Sequence, residues 1–269
     1  AGSEVMLSLM RQNLDGTERL RNGYGLMGAH SMAWSGALLY ILHLGGRHPG
    51  ELLALQKDGG GRFRRDIRWD DARPGDVDAH GTHLVVSYPN KNAIRWLDPR
   101  KGTLVDEAAV PKPSGVTVAA DGKLLVISKD RIVTLTRREK TPRLFAAELE
   151  VPHRLDVDHG TGDVLLIEHG DSQQVKRFSR DGELLATYGR RGGRPHNGLY
   201  RPELGFIHVL DVVCDGRGGF LICEPWAAPR RTAHYDREGR ILREWYGGQR
   251  FFNYAAPDPR DPTLVWMTS

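Results

Sequence analysis

The sequence predicts an all-β fold, a six-bladed β-propeller whose last blade is completed by strands from both termini. Three observations predict it. A polar turn ending in glycine recurs at even spacing, a strand hairpin lies between successive turns, and the two chain ends carry complementary half repeats. In a chain of 269 residues such repetition outranks other signals, because a period of about 40 residues defines the unit that packs.

The recurring turn closes LMRQNLDG at Gly16, LLALQKDG at Gly59, IRWLDPRKG at Gly102, VKRFSRDG at Gly182 and AHYDREG at Gly239. Asp-Gly and related pairs supply the positive φ of a tight hairpin. A further turn is expected at TRREK, residues 136–140, without its glycine. Between these turns GVTVAADGKLLVIS, LDVDHGTGDVLLIE and LDVVCDGRGGFLICE each read as a strand hairpin, and VDAHGTHLVVS and HSMAWSGALLYI fit more loosely. Two hairpins per period give four strands, one blade. The chain starts with a second-half hairpin, VMLSLM-RQNLDG-TERLRN, and ends with a first-half hairpin, NYAAPDPRDPTLVWM. Residues 5–23 are therefore expected to pair with 251–268, which removes free sheet edges. Residues 1–269 form one domain, and the opening AGSEVML reads as that of a piece of a larger protein.

Composition narrows the function classes. The net charge of +4 comes mostly from scattered Arg among nearly as many carboxylates, without a polybasic block, which argues against nucleic acid as a partner. The longest apolar stretch, Met32 to Leu44, is too short to span a bilayer and contains Ser35, Gly36 and His43. Cys214 and Cys223 flank their turn unsymmetrically and are not expected to bridge. No GxSxG, CxxC pair, HExxH, phosphate loop or dinucleotide fingerprint is present.

The segments P-x-G-V-x-V-x-x-D-G-x-L-x-V and F-x-x-D-G-x-L resemble the NHL repeat family, over nearly the whole chain. Residues 188–266, with YGRRGGRP, RTAHYDREGRILREWYGG and AAPDPRDPTLVWM, are more similar still to a group of large bacterial NHL-like proteins. That resemblance implies a secreted or cell-surface setting and a monomeric binding or scaffolding domain for a protein, peptide or glycan. It implies little about chemistry, since such motifs specify blades. The chain departs from the pattern where Glu168 and Glu224 stand in place of the usual Asp at the end of the second strand.

Propellers bind at the central channel, on the face where first strands start and second strands end. That places His30, His153 and His208 at the starts of first strands together with His43, Glu168, His169 and Glu224 at the ends of second strands. The frames PHRLDV and IHVLDV present His153 and His208 at matching depth, with His30 in GAHSMAW as a third imidazole. Three such groups chelate Zn²⁺ or a similar divalent cation, with Glu168 or Glu224 as further ligand or catalytic base. This is similar to peptide amidating lyases, whose propellers use axial histidines, and gives a metal-dependent lyase or hydrolase as the second reading. Gluconolactonase-like propellers, which hold Ca²⁺ through Glu, Asn and Asp, fit less well, since the inner strands here offer His. The plainer reading of each His is a packing residue at the channel rim that donates a hydrogen bond to a neighbouring blade. Asp156 and Asp211 face the other way and are expected to hydrogen-bond between blades. The insertion from Gly189 to Arg201 overhangs the same mouth, so Arg194, His196, Tyr200 and Arg201, with Trp226 after Glu224, are candidate ligand contacts.

Overall fold

The computed structural model describes residues 8–13, 19–23, 29–35, 38–43, 51–56, 66–68, 73–195, 199–227, 229–246, 255–258 and 261–268. They are all-β and carry the architecture of a β-propeller, with four-stranded antiparallel sheets. The chain opens with β1 (Ser8–Asn13) and β2 (Arg19–Gly23). Sheet I holds β3 (Ala29–Ser35), β4 (Leu38–His43), β5 (Glu51–Gln56) and β6 (Asp66–Arg68). Sheet II holds β7 (Asp76–His80), β8 (His83–Tyr88), β9 (Ala93–Leu97) and β10 (Leu104–Ala109). Sheet III holds β11 (Pro113–Val118), β12 (Leu124–Ser128), β13 (Arg131–Leu135) and β14 (Arg143–Ala146). Sheet IV holds β15 (Pro152–Val157), β16 (Val164–Glu168), β17 (Gln174–Phe178) and β18 (Leu184–Tyr188). Sheet V holds β19 (Asp211–Cys214), β20 (Phe220–Glu224), β21 (Arg231–Tyr235) and β22 (Ile241–Tyr246). The last two strands, β23 (Ala255–Asp258) and β24 (Asp261–Thr268), join the first two in the order β2-β1-β24-β23, with Arg11 opposite Trp266.

First strands lie side by side in the order β3, β7, β11, β15, β19, β23, and β23 also lies beside β3. The core is correspondingly distributed as layers between neighbouring sheets. Val85, Ile94 and Trp96 of sheet II pack on Val116, Val126 and Val133 of sheet III, and Leu165 and Ile167 of sheet IV on Val212, Phe220 and Ile222 of sheet V. A second strand is therefore covered on both faces, and β12, β16 and β20 are buried at every position. Fourth strands lie at the periphery and expose Leu104, Leu144, Leu184 and Leu242.

Two faces follow from this wiring. Turns joining first to second and third to fourth strands lie on one, which we term the hairpin face. Turns joining second to third strands, and the connections between sheets, lie on the other, the loop face. Hairpin-face turns are built by Asp: Asp98 Oδ1 accepts from the amides of Arg100 and Lys101, and Asp215 Oδ1 from those of Arg217 and Gly219. The glycine-free turn at 136–140 closes through the Thr136 amide and the Glu139 carbonyl. Cys214 pairs with Phe220 and Cys223 with Asp211, so the two buried thiols are not opposed.

Candidate functional site

Among the described residues an ion pair crosses the axis. Arg154 on β15 reaches Asp76 on β7, Nη1 to Oδ1 2.6 Å, and donates through Nη2 to the His30 carbonyl at 2.8 Å. Asp76 also accepts from Ser31 Oγ at 2.5 Å and from the Val116 amide at 2.9 Å. Sheets I to IV thus meet at one carboxylate, and the buried charge pair is compensated by these bonds. Further along the axis, Asp156 accepts from the Cys214 amide at 2.7 Å and from Thr117 Oγ1 at 3.3 Å, and Asp78 from the Val118 amide at 2.8 Å. Burial and mutual repulsion raise Asp78 to about 7, and burial raises Asp156 to about 6.

Beside this pair stand three imidazoles. His30 and His153 are each the residue skipped where first-strand pairing shifts register, between Ala29 and Ser31 and between Pro152 and Arg154. Such bulges re-aim a side chain out of strand alternation. Burial, then the charges of His169, Arg154 and His30, lowers His153 to about 3 against a hydrogen bond to the Leu210 backbone. Burial and Arg154 lower His30 to about 4. Both rings are neutral at physiological pH. His153 stacks on His169, centroids 4.2 Å apart and planes at 22°, and His169 Nε2 donates to the Val209 carbonyl at 2.6 Å. His153 Nε2 is buried with no hydrogen-bond partner.

His208 does not join them. The matching frames PHRLDV and IHVLDV suggest equal depth, but Leu155 pairs with Leu166 and Val212 with Ile222, each two residues before its sheet's terminal Glu. Sheet V's first strand is thus displaced by two residues against the motif, and Leu210 takes the level of His153. His208 lies before β19, exposed, at φ +47°, its amide donating to Gln173 Oε1 at 2.9 Å. The same displacement sets Asp211 level with Arg154, and the interblade role expected of Asp156 is seen at Asp156 and also at Asp78. Among the described residues no three His, Cys, Asp or Glu side chains converge as a metal requires.

Glu168 and Glu224 end β16 and β20 and are fully buried. Each accepts a backbone amide from the connection that leads into its own sheet: Glu150 N to Glu168 Oε1 at 3.1 Å, and Ile207 N to Glu224 Oε1 at 2.6 Å. Lys176 Nζ and Ser172 Oγ complete Glu168 at 2.7 and 2.9 Å. Glu224 is paired by Arg231, with Arg194 Nε at 3.5 Å. Ser128 Oγ, at the equivalent place in sheet III, makes the corresponding bond to the Pro111 carbonyl at 2.6 Å. These side chains pin the connections, and their oxygens are engaged in doing so.

Arg194 and Tyr200, expected to reach out from the insertion, turn inward. Arg194 is buried against Glu224 and the Pro229 carbonyl, and the Tyr200 ring covers both Arg194 and Arg231, with guanidinium carbons 5.2 and 5.5 Å from its centroid. The Tyr200 hydroxyl donates to Glu244, which also pairs with Arg231. The connection closes on itself through the Arg190 amide to the Leu204 carbonyl and the Arg194 amide to the Phe206 carbonyl, and is tied to the turn between β16 and β17 by the Gly192 amide, which donates to the Asp171 and Ser172 carbonyls. What it leaves outside is different: Leu199 is 87% and Trp226 63% exposed. Arg201 is exposed and pairs with Glu203. His196 lies outside the described residues.

The sequence places His169 on the same face as His153 but gives no sign that the two rings stack, and that Arg154 crosses the axis was missed. A charged residue inside the alternating frame PHRLDV was the available signal.

No protein-family model matches the chain, and no curated protein matches it. Solved structures do match. A streptogramin B lyase aligns over 100% of this chain and 99% of its own at 12% identity, TM-score 0.61. A chain of a nidogen/laminin complex aligns over 91% and 95% at 13% identity, TM-score 0.68. A catalytically inactive His-to-Ala variant of virginiamycin B lyase from Staphylococcus aureus, with quinupristin, aligns over 97% and 81% at 13% identity, TM-score 0.61. At these identities the likeness establishes the β-propeller fold.

Proposed function

We propose that the chain is a six-bladed propeller of the NHL type, one blade being composed from both ends, that binds a protein, peptide or glycan partner on its loop face. The observation that supports this is where backbone strain is kept. A non-glycine residue in the left-handed region costs about 1–2 kcal/mol. On the hairpin face the described positive-φ residues are glycines: Gly81, Gly102, Gly122, Gly162, Gly182, Gly216, Gly218 and Gly239. The described non-glycine ones, Arg73, Asn92, Lys112, Lys129, Glu148, Gln173 and His208, all fall on the loop face. Asn92 and Gln173 have an internal reason, since their side chains accept the amides of Lys112 and His208. Lys112, Lys129, Glu148 and Arg73 point exposed side chains outward from strained positions. Strain retained where glycine would relieve it marks a working surface, and exposed Leu199 and Trp226 supply that surface with apolar contacts.

A protein partner accords with the nidogen/laminin relative. The test is selection of peptides from a displayed random library on the immobilised protein, followed by affinity measurement on variants. Leu199→Ala and Trp226→Ala are expected to weaken selected binders about tenfold or more, while Lys123→Ala and Arg217→Ala on the hairpin face leave them unchanged. The reverse pattern would sink the assignment.

A second reading, a lyase-like reaction at the axis, is favoured by one feature: a buried His153 whose Nε2 has no hydrogen-bond partner within the protein. In that case turnover of a candidate substrate would vanish in His153→Gln, and undiminished turnover in that variant would return the reading to binding alone.

A further inference from the structure

On sheets II and III the loop face carries four cations whose side chains pair with no carboxylate among the described residues. Arg73 precedes β7, Lys91 sits in the turn from β8 to β9, Lys112 in the connection to sheet III, and Lys129 in the turn from β12 to β13. All four are exposed. None makes an ion pair with a described residue, in contrast to Arg191, Arg201 and Arg131 on the same face, which pair with Glu150, Glu203 and Asp130. Three of the four stand at positive φ: Arg73 at +40°, Lys112 at +43° and Lys129 at +60°.

Hydrogen bonds fix them as one neighbourhood. The Lys112 amide donates to Asn92 Oδ1 at 2.8 Å, next in sequence to Lys91. Ser128 Oγ donates to the Pro111 carbonyl at 2.6 Å, which sets Lys112 beside Lys129. Gly75, two residues after Arg73, donates to the Ser87 carbonyl at 2.8 Å, and its α-carbon faces Pro89 and the Ser114 carbonyl so closely that a side chain would touch both at 3.0 Å. The connection bearing Arg73 therefore abuts the turn bearing Lys91 and the start of β11.

We propose that this sector of the loop face docks an acidic peptide segment of a protein partner, its carboxylates seated on Arg73, Lys91, Lys112 and Lys129. The proposal rests on the partner-binding reading above and specifies its chemistry. Charge decides the class of partner. The arc is interrupted by Asp130 and by Glu148, which sit together because the Leu149 amide donates to the Asp130 carbonyl at 3.0 Å. A uniformly charged backbone such as nucleic acid or a sulfated glycan laid across it meets two repelling carboxylates. A peptide whose carboxylates are separated by neutral residues avoids them. Three of the four cations are lysines, compact point charges suited to single carboxylates rather than to the planar two-pronged contacts at which Arg excels.

The experiment uses the full chain and a fluorescently labelled probe peptide with four glutamates spaced by Gly and Ser, its glutamine counterpart, a heparin-derived oligosaccharide and a short single-stranded DNA. At low salt the glutamate peptide is expected to bind about tenfold more tightly than the glutamine peptide. The Lys112→Gly/Lys129→Gly variant is expected to lose about that factor while its melting temperature stays level or rises, because glycine relieves the strain. Lys101→Gln and Lys123→Gln on the hairpin face are expected to change nothing. Equal binding of the two peptides, undiminished binding by the double glycine variant, or preferential binding of the oligosaccharide or DNA would overturn the proposal. If library-selected peptides bind through Leu199 and Trp226 while the acidic probe does not bind, this proposal falls and the broader reading stands. If neither binds through the loop face, both fall.

Discussion

The two faces of the propeller solve the same backbone problem differently. Both need left-handed residues to turn the chain; among the described residues the hairpin face supplies glycine alone, whereas the loop face supplies Lys, Arg, Glu, His, Asn and Gln beside the glycines Gly170, Gly189, Gly192, Gly193 and Gly205. The hairpin face spends its sequence on closing strands, whereas the loop face carries side chains that closing strands does not require. Beneath the exposed layer the loop face is rigid, because Glu168 and Glu224 tie its connections and Arg194, Arg231 and Tyr200 form a buried block. The contrast is thus between a face made for folding and a face made of a fixed base under a variable surface.

The largest expected effect tests that base. Glu224→Ala would leave the buried guanidinium of Arg231 without its inner partner, at a cost of about 3–5 kcal/mol. Chemical denaturation checks this, and a loss below about 1 kcal/mol would show that the block is not what holds the connection. Next comes the hairpin face. Gly182 stands at φ +93°, and a Cβ there would overlap the Phe145 carbonyl oxygen. Gly182→Ala is expected to destabilise by about 2–4 kcal/mol, and a tolerated alanine would dissolve the distinction drawn between the faces.

An intermediate effect belongs to the axis, which both faces share. Asp78 and Asp156 are raised in the folded protein, to about 7 and about 6. Their contribution to stability is complete below the ordinary carboxylate range and is lost as pH rises through those values. His30 and His153 are lowered, to about 4 and about 3. Theirs is complete above the ordinary imidazole value and lost as pH falls through the lowered ones. Between about pH 4 and 6.5 the two pairs oppose each other, so melting temperature is expected to change little there, whereas Asp78→Asn, which removes one declining contribution, is expected to make it rise with pH over that window. An unchanged pH profile in Asp78→Asn would contradict this assignment.

The repeat was legible because most of the described hairpins close through a left-handed glycine, and such glycines stand in the sequence at Gly102, Gly182 and Gly239. The pairing of β1 with β24 was legible from half repeats at the ends. The site was less so. The shared LDV of PHRLDV and IHVLDV misleads, because register is set by the partner strand and the turn, not by the motif, and a displacement of two residues keeps the same side chains facing inward. The bulges at His30 and His153 leave no mark in the sequence, since they break alternation by one residue. Arg194 and Tyr200 looked like outward grips because nothing local shows that Glu224, thirty positions on, lies beneath them. Trp226 and Leu199, by contrast, were left outside by that same folding-down.

The central claim is that the loop face keeps strained side chains for a partner and not for the fold, and the most direct measurement is thermal unfolding of Lys112→Gly/Lys129→Gly/Glu148→Gly. These residues sit at φ +43°, +60° and +57° and are exposed. Relief of strain offsets the added freedom of glycine in the unfolded chain, so the variant is expected to melt at the parent's temperature or a few degrees above it, about 0–1 kcal/mol more stable. A variant that melts well below the parent would show that these side chains serve the fold, and would contradict the account.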